Sequence, residues 1–321
     1  MAQATMAKAQ QAVGNQKKRK SHYRKYSPLL IMMIPGLLYL LINNYLPMLG
    51  IVIAFKDVNF AKGILQSDWV GFDNFEYLFK TSDAYIITRN TILYNLVFIV
   101  FGTALSLASA ILLNEIKNKV LLKAYQSIIT LPHLISMVIV GYLVYALLSP
   151  DTGFLNKTVL PWFGMDEGIS WYTETKYWPW ILTLVYFWKS VGYSSIVFFA
   201  ALLGIDEEYY EAARLDGASR WQQIRRITLP ILTPVIIMLT LLSVGRIFYS
   251  DFGLFYQVPM NSGALFETTA TIDTYVFRGL TGSGDIGMST AAGVYQSIVG
   301  FILVILANYV VRRFNKDNAL F

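Results

Sequence analysis

The stretch Asn90–Asn114, NTILYNLVFIVFGTALSLASAILLN, contains no Asp, Glu, Lys or Arg, and it decides the fold class. About 20 apolar residues in a helix cross the hydrocarbon core of a bilayer, so this run is long enough to span a membrane. Lipid offers no partners for backbone hydrogen bonds, whereas a helix satisfies its own. Of the 321 residues, 55% are hydrophobic and only 14% are charged, too few to cover the surface of a soluble domain. An all-α integral membrane fold is therefore predicted.

Five more apolar runs flank this stretch, so six transmembrane helices are predicted. Lys189 is the only charged residue in one run, and Arg246 and Asp251 are the charged residues of another. The remaining runs are free of charge. In chain order the six runs are Tyr26–Phe55, Asn90–Asn114, Ala124–Pro150, Tyr177–Ile205, Ile227–Phe255 and Ile286–Val311.

Basic residues indicate which segments face the cytoplasm. Seventeen of the 26 Lys and Arg residues lie in the two terminal segments and in the loops after the second and fourth runs. The opposite loops carry most of the acidic residues, among them Asp57, Asp68, Asp151, Asp166 and Glu167. An even number of spans puts both termini on one side. The sequence therefore predicts a multi-pass protein with both termini in the cytoplasm.

The cytoplasmic loop Gly204–Pro230 has the signals of two short helices separated by a turn. Asp206 is placed to cap the first helix, and Gly217 suits the left-handed residue that ends it. Ser219 and Gln222 have the spacing of a capping box at the start of the second helix. The proline that closes the loop falls in the first turn of the next span, a position that tolerates proline.

The second of these helices is expected to be amphipathic. Its apolar face would consist of Trp221, Ile224 and Ile227, and its polar face of Arg220, Gln223 and Arg226. A bent pair of amphipathic helices at the cytoplasmic surface either lies in the lipid interface or docks into a groove of a soluble partner. The chemistry of the residues leaves both uses open.

The same loop carries a sequence signature. Glu211-Ala212-Ala213, followed by Gly217 and then by Leu229-Pro230, resembles the signature loop of permeases in binding-protein-dependent ABC importers. The longer form Glu-Ala-Ala-x-x-Asp-Gly-Ala, here Glu211–Ala218, is similar to the sugar-importer branch of that family. Ile224 stands where that branch often has an aromatic residue.

Sequence outside the loop extends the resemblance over nearly the whole chain from Tyr26. The segments Trp69–Phe75 and Arg89–Thr91 are similar to the corresponding parts of sugar permeases. Pro28–Phe60 is similar to the polysaccharide-type branch, whose members import complex or acidic oligosaccharides. Within this branch the chain resembles the first permease subunit of importers of alginate oligosaccharides.

The resemblance implies the architecture of a type I ABC importer permease in the bacterial plasma (inner) membrane. Residues 1–25 would form a basic cytoplasmic tail, and residues 26–85 the first transmembrane helix with its outer segment. Residues 86–314 would form a five-helix core that includes the coupling loop 204–230, and residues 315–321 a cytoplasmic C-terminal tail.

The resemblance also implies partners and a mechanism. A second, related permease, two copies of an ATPase and an extracytoplasmic solute-binding protein would complete the importer. ATP and Mg would bind the ATPase, and this chain would hold no cofactor. Closure of the ATPase dimer would switch the permease between inward- and outward-facing states. The residues implied to contact the ATPase are Glu211, Ala212, Ala213, Asp216, Gly217 and Pro230.

The chain is expected to be a permease and not an enzyme. It has no Cys, only two His, and no phosphate-binding loop of the form Gly-x-x-x-x-Gly-Lys-Ser/Thr, so no catalytic or metal site is predicted. Gly282–Gly287 fits the dinucleotide fingerprint, but that motif needs a preceding strand in a βαβ unit. This copy precedes a membrane span instead.

Three charged residues inside predicted spans need an explanation. A charge in a span costs about 2.5–3.5 kcal/mol on insertion scales, so it usually faces the bundle interior or a water-filled cavity. One interpretation is an ion pair of Asp251 with Lys189 or Arg246 that only fixes helix packing. The other is a pathway in which cations and aromatic rings contact an acidic sugar. The pathway residues would be Tyr186, Lys189, Tyr193, Arg246, Tyr249 and Asp251, flanked by Trp188 and Phe248.

An ion-coupled secondary transporter is the alternative function. Lys189 and Asp251 would then lie in the ion pathway. Inverted repeats would favour this alternative, and the sequence contains no evident repeat.

Overall fold

The computed structural model describes residues 26–165, 168–282 and 285–314. The predicted cytoplasmic tails, residues 1–25 and 315–321, lie outside the described residues, as do Asp166, Glu167 and the middle of the Gly282–Gly287 motif. The chain divides into two compact units, Met1–Val52 and Ile53–Phe321.

Five of the described helices are long and apolar enough to cross a membrane, and a bent pair of helices adds a sixth span when it is counted as one. This agrees with the predicted all-α membrane fold. We name them span one (Tyr26–Phe55), span two (Ser82–Asn114), span three (Lys119–Leu134 with Met137–Leu148), span four (Thr175–Leu202), span five (Arg220–Val244) and span six (Ile286–Arg313).

Short elements connect the spans. The connecting helices are Asp73–Lys80, Leu155–Val159 with Leu160–Trp162, Glu207–Leu215, Phe252–Gln257, Phe266–Thr269 and Ile272–Thr281. Lys56–Asp57 pairs antiparallel with Asp68–Trp69 as a two-stranded hairpin.

Span one lies almost wholly in the first unit. Its helix contains a π-helical turn, Leu41–Tyr45, just before Pro47, and ends in the 3-10 stretch Leu49–Phe55. Proline lacks the N–H of a regular helical bond and crowds the preceding turn, which accounts for the irregular winding at this point.

The segment between spans one and two contains a short helix, Asp73–Lys80. The hairpin before it was not predicted. The buried amide of Asn74 ties the two together, because its Nδ2 donates to the carbonyls of Ala54 at 2.9 Å and Lys56 at 3.0 Å. A single side chain thus supplies donors to two backbone acceptors, one on each side of Phe55.

Span two begins at Ser82, eight residues before the predicted charge-free run. The prediction began later because the first turns of this helix carry charged residues, which a charge-free run leaves out. It packs along span four, and the buried rings of Tyr94, Phe98 and Trp178 form the centre of the largest hydrophobic cluster. Phe255, from the helix after span five, completes this cluster. The packing of spans two and four is the scaffold for the candidate site.

Span three is broken, whereas the sequence predicted one run, Ala124–Pro150. Its two helices meet at an angle of 93°. The first helix ends at Leu134, two residues after Pro132, and Ser136 caps the second by accepting from the N–H of Ile139 at 3.4 Å. The backbone between the helices is extended, so the carbonyls at the end of the first helix need partners from elsewhere.

Span five is shorter than predicted. Its helix ends at Val244, and the next helix begins at Phe252, so the predicted run Ile227–Phe255 is interrupted. Arg246 and Asp251 consequently lie in the non-helical link 245–251 and not inside a membrane helix. The backbone of this link can be non-helical because its carbonyls accept hydrogen bonds from side chains of neighbouring spans.

Candidate functional site

The first helix of the coupling loop, Glu207–Leu215, forms as the sequence predicts. The Asp206 side chain accepts from the N–H of Glu208 at 3.1 Å. Gly217 has a φ of +76°, in the left-handed region that favours glycine, and the N–H of Ala218 returns to the carbonyl of Ala213 at 2.9 Å. Local sequence therefore determines where this helix begins and ends.

The second helix of the loop differs from its prediction in two ways. The predicted capping box of Ser219 and Gln222 is present, but the helix continues through a π-helical turn, Ile224–Thr228, into span five. Two of the six residues also differ from their predicted faces, since Gln223 is 3% exposed and Trp221 is 68% exposed. The other four agree with the prediction, because Ile224 and Ile227 are half-buried and Arg220 and Arg226 are exposed. The Gln223 amide turns inward because it donates to the carbonyl of Ala218 at 2.9 Å, across the bend of the loop.

Contacts on the inner side hold the loop against the membrane core. The hydroxyls of Tyr210 and Thr228 lie 2.9 Å apart, joining the first helix to the base of span five. Arg220 lies 3.5 Å from Glu115, the residue that follows span two. These contacts join the two helices of the loop to each other and to span two.

The opposite side of the loop is exposed. Glu211, Ala212, Asp216, Gly217 and Pro230 are exposed, and Ala213 is half-buried. The Glu211 carboxylate lies 3.8 Å from Arg214 within its own helix. A cleft of about 350 Å³ runs along the bend, lined in part by Ala213, Asp216 and Gly217. This geometry fits a docking surface for a soluble partner.

A central cavity of about 520 Å³ lies between spans two, four and five. Of the six predicted pathway residues it brings together four: Tyr186, Tyr193, Arg246 and Tyr249. Arg246 is the only charged residue that lines it among the described residues. The cavity therefore offers one cation beside three phenol rings.

The polar wall of the cavity was not predicted. Asn95, Thr103, Ser106, Ser190, Ser194 and Ser243 contribute hydroxyl and amide groups. On span two, Asn95 lies eight residues before Thr103, and Thr103 lies three before Ser106; on span four, Ser190 and Ser194 are four residues apart. Spacings close to one or two helical turns place these residues on one face of each helix. The helical spacing of these polar residues was the signal that the sequence analysis missed.

Two of the tyrosines have neighbours that hold their rings. Tyr186 stacks on Phe98 with centroids 3.7 Å apart and an interplanar angle of 5°. Tyr193 stacks on His133 at 4.2 Å and 8°. Flat aromatic surfaces held in this way are available to pack against the face of a sugar ring.

Lys189 and Asp251 do not line the cavity. Lys189 is 8% exposed, and its ammonium donates to the carbonyls of Pro132 at 3.2 Å, His133 at 3.1 Å and Ile135. It therefore caps the broken end of the first helix of span three, where the helix dipole favours a cation. Asp251 accepts from the N–H of Leu254 at 3.1 Å and caps the helix Phe252–Gln257.

The two ion pairs that were considered for Asp251 are wrong. Among the described residues the ion pairs are Lys62–Asp68, Lys80–Glu76, Lys176–Glu174, Arg214–Glu207, Arg214–Glu211 and Arg220–Glu115. Neither Lys189 nor Arg246 joins Asp251. Backbone groups are the partners instead: Lys189 donates to carbonyls at the end of the first helix of span three, and Asp251 accepts from an N–H at the start of the helix Phe252–Gln257.

A second cavity, of about 400 Å³, lies near the start of spans two and six. Asp83, Glu267 and Asp285 contribute carboxylates to its lining, and Arg278 contributes a guanidinium. That guanidinium lies 4.0 Å over the ring of Phe266. Burial lowers the pKa of Arg278, although the neighbouring Tyr256 and Asp83 oppose that shift. Burial, with Asp83 and Asp285, raises the pKa of Tyr275 to about 12.

Among the described residues, five long apolar helices with a bent pair, a polar cavity between spans two, four and five, and an exposed helical loop are typical of a multi-pass membrane permease. The chain belongs to the family described as the binding-protein-dependent transport system inner membrane component, which matches residues 99–316. It is thus a multi-pass inner membrane component of a transport system and not itself an enzyme. The ion-coupled alternative finds no support.

Relatives from Bacillus subtilis (strain 168) match along most of the chain. Protein LplB is 38% identical over 291 residues, which are 90% of this chain and 90% of LplB. The polygalacturonan/rhamnogalacturonan transport system permease protein YteP is 35% identical over 289 residues, 90% of this chain and 89% of YteP.

Two solved structures share the fold. A chain of a bacterial ABC transporter involved in the import of the acidic polysaccharide alginate superposes with a TM-score of 0.84 at 33% identity, covering 93% of this chain and 99% of that one. A chain of a bacterial alginate ABC transporter in complex with an alginate pentasaccharide-bound periplasmic protein gives 0.81 at 34% identity, covering 92% and 98%.

Proposed function

We propose that this chain is a permease subunit of an ATP-driven importer of acidic oligosaccharides, and that the substrate passes through the central cavity by alternating access. The observation that carries the substrate class is the composition of the cavity wall, with Arg246 as its one cation beside tyrosines and hydroxyl groups. Relatives whose substrates are polygalacturonan and alginate support the same class. Alginate oligosaccharides are therefore the first substrates to test.

The chemistry of the wall fits a sugar that carries carboxylates. A guanidinium forms paired, charge-assisted hydrogen bonds with a carboxylate. Serine and threonine hydroxyls both donate and accept, as sugar hydroxyls require, and Asn95 adds an amide oxygen that accepts. The ring faces of Tyr186 and Tyr193 supply apolar area for the carbon skeleton of the sugar.

The complete importer would contain a second, related permease, an ATPase dimer and an extracytoplasmic solute-binding protein. The exposed face around Glu211 and Gly217 would dock on the ATPase, which would hold ATP and Mg. The contacts of Tyr210 and Arg220 with the membrane core would carry the movement of the ATPase to spans two and five. Both termini would face the cytoplasm, because the basic residues cluster on that side.

Uptake by the complete complex in proteoliposomes tests the substrate. We expect the loaded binding protein to stimulate ATP hydrolysis and uptake with alginate or galacturonate oligosaccharides. Replacing the cation, Arg246→Gln, should reduce that uptake about tenfold or more, since it removes charge-assisted bonds worth about 1.5–3 kcal/mol. Arg246→Lys, which keeps the charge but not the paired geometry, should retain an intermediate rate.

Uptake of a neutral oligosaccharide, delivered by the same complex, is the matched comparison. The proposal fails if the unmodified complex imports neutral oligosaccharides and no acidic ones. The role of Arg246 fails if Arg246→Gln imports the acidic substrate at the unmodified rate.

A further inference from the structure

The link between span five and the helix Phe252–Gln257 is held by side chains from other spans at consecutive residues. Nδ2 of Asn95, on span two, donates to the carbonyls of Ile247 at 2.9 Å and Tyr249 at 3.1 Å. Nε2 of Gln296, on span six, donates to the carbonyl of Phe248 at 2.6 Å. The backbone of the link is therefore fixed from two opposite helices.

The next residue of the link is held in the same way. The N–H and the hydroxyl of Ser250 both donate to Oδ2 of Asp273 at 2.7 Å, and the hydroxyl oxygens of Ser250 and Thr271 lie 2.8 Å apart. A non-helical backbone at membrane depth needs such partners, because lipid supplies none. Four successive residues, 247–250, thus have an external partner each.

The two amides are themselves held in place. The carbonyl of Thr91, one turn earlier on the same helix, also lies 2.9 Å from Nδ2 of Asn95, so the two protons of this amide are shared among three carbonyls. Gln296 is 6% exposed, and the neighbouring ring of Tyr295 packs edge-on against Phe248 at 5.9 Å. Neither amide can turn away without losing a bond.

The link carries two residues of the central cavity, Arg246 and Tyr249. Arg246 precedes the first held carbonyl, and the carbonyl of Tyr249 is itself held. The position of both side chains in the cavity therefore depends on the amides that hold the backbone. We propose that Asn95 and Gln296 are positioning residues for transport, which set Arg246 and Tyr249 against the substrate.

This inference rests on the proposed transport of acidic oligosaccharides through the cavity. Gln296 gives the cleaner test of the two residues, because it does not line the cavity, whereas Asn95 does. Any effect of Gln296 on the substrate must therefore act through the link.

The test is a double-mutant cycle on uptake per folded complex in proteoliposomes, with an acidic oligosaccharide and its binding protein. Gln296→Leu removes the donor at similar size and should lower the uptake rate about three- to tenfold. In the Arg246→Gln background the same change should lower it less than about twofold, because the residue being positioned is gone. Ser297→Ala, which removes a hydroxyl bonded only within its own helix, is the control and should leave uptake unchanged.

Gln296→Met, a flexible side chain of similar length that also lacks the donor, keeps the test decisive if Gln296→Leu does not fold. It should show the same dependence on Arg246. Equal effects with and without Arg246, or a lower yield of complex at an unchanged rate per folded complex, would overturn the positioning role. If the unmodified complex imports no acidic oligosaccharide, the proposed function fails instead, so the two failures are distinguishable.

Discussion

Replacing Lys189 with methionine removes the ammonium at the broken end of span three while keeping a side chain of similar length. The carbonyls of His133 and Ile135 then lose their donor, whereas the carbonyl of Pro132 also accepts from the N–H of Ile135 at 3.3 Å. A buried acceptor without a partner costs about 1–3 kcal/mol, so two of them cost about 2–6 kcal/mol. The variant no longer buries a charge, which offsets part of this cost. We expect a net destabilisation of about 2 kcal/mol.

The assay is the yield and the melting temperature of the purified complex for Lys189→Met, Asp251→Asn and the double variant. Asparagine caps a helix about as well as aspartate, so Asp251→Asn alone should have little effect. The double variant should be as unstable as Lys189→Met, because the two residues have separate partners. Lys176→Met, at an exposed lysine of span four, is the matched control and should be neutral. Rescue of stability in the double variant would refute the carbonyl cap and restore the ion pair.

Three other changes test the packing, the coupling loop and the orientation. Gly192→Ala should abolish the folded yield, because a Cβ there would lie 1.8 Å from the carbonyl oxygen of Ile129. Gly293→Ala is the control and should be tolerated, because the nearest neighbour of its Cβ would be 4.0 Å away. Equal yields of the two variants would contradict the close packing of spans three and four. Gly217→Val, at a φ of +76°, should cost about 1–2 kcal/mol and lower sugar-stimulated ATP hydrolysis while leaving the spans folded; hydrolysis at the full rate would show that the loop does not couple the ATPase. Asp68 is exposed, and the chain has no cysteine, so Asp68→Cys introduces a single thiol. This thiol should react with an impermeant reagent added outside the cell. Labelling only after lysis would reverse the predicted orientation.

Local sequence was sufficient wherever neighbouring residues supply the physical cause. The spans follow from runs of apolar residues, because only length and hydropathy decide whether a helix can cross lipid. The ends of the helix Glu207–Leu215 follow from Asp206 and Gly217, because a cap and a left-handed residue act within a few positions of the chain. The signature at Glu211 was enough to indicate the family to which the chain belongs.

Tertiary structure decided which polar groups meet. The partners of Lys189 lie more than 50 residues away in the chain, and they are backbone carbonyls, which no residue pattern marks as acceptors. The interruption of span five likewise depends on Asn95 and Gln296, which supply from other spans the bonds that the helix gives up.

The sequence by itself thus determined the class of protein, the number of its spans and the turn of the coupling loop. The breaks in spans three and five and the cavity around Arg246 were decided only by the tertiary structure. The physical reason is range. Hydropathy and capping act between neighbours in the chain, whereas the hydrogen bonds that let a membrane helix break are made between spans.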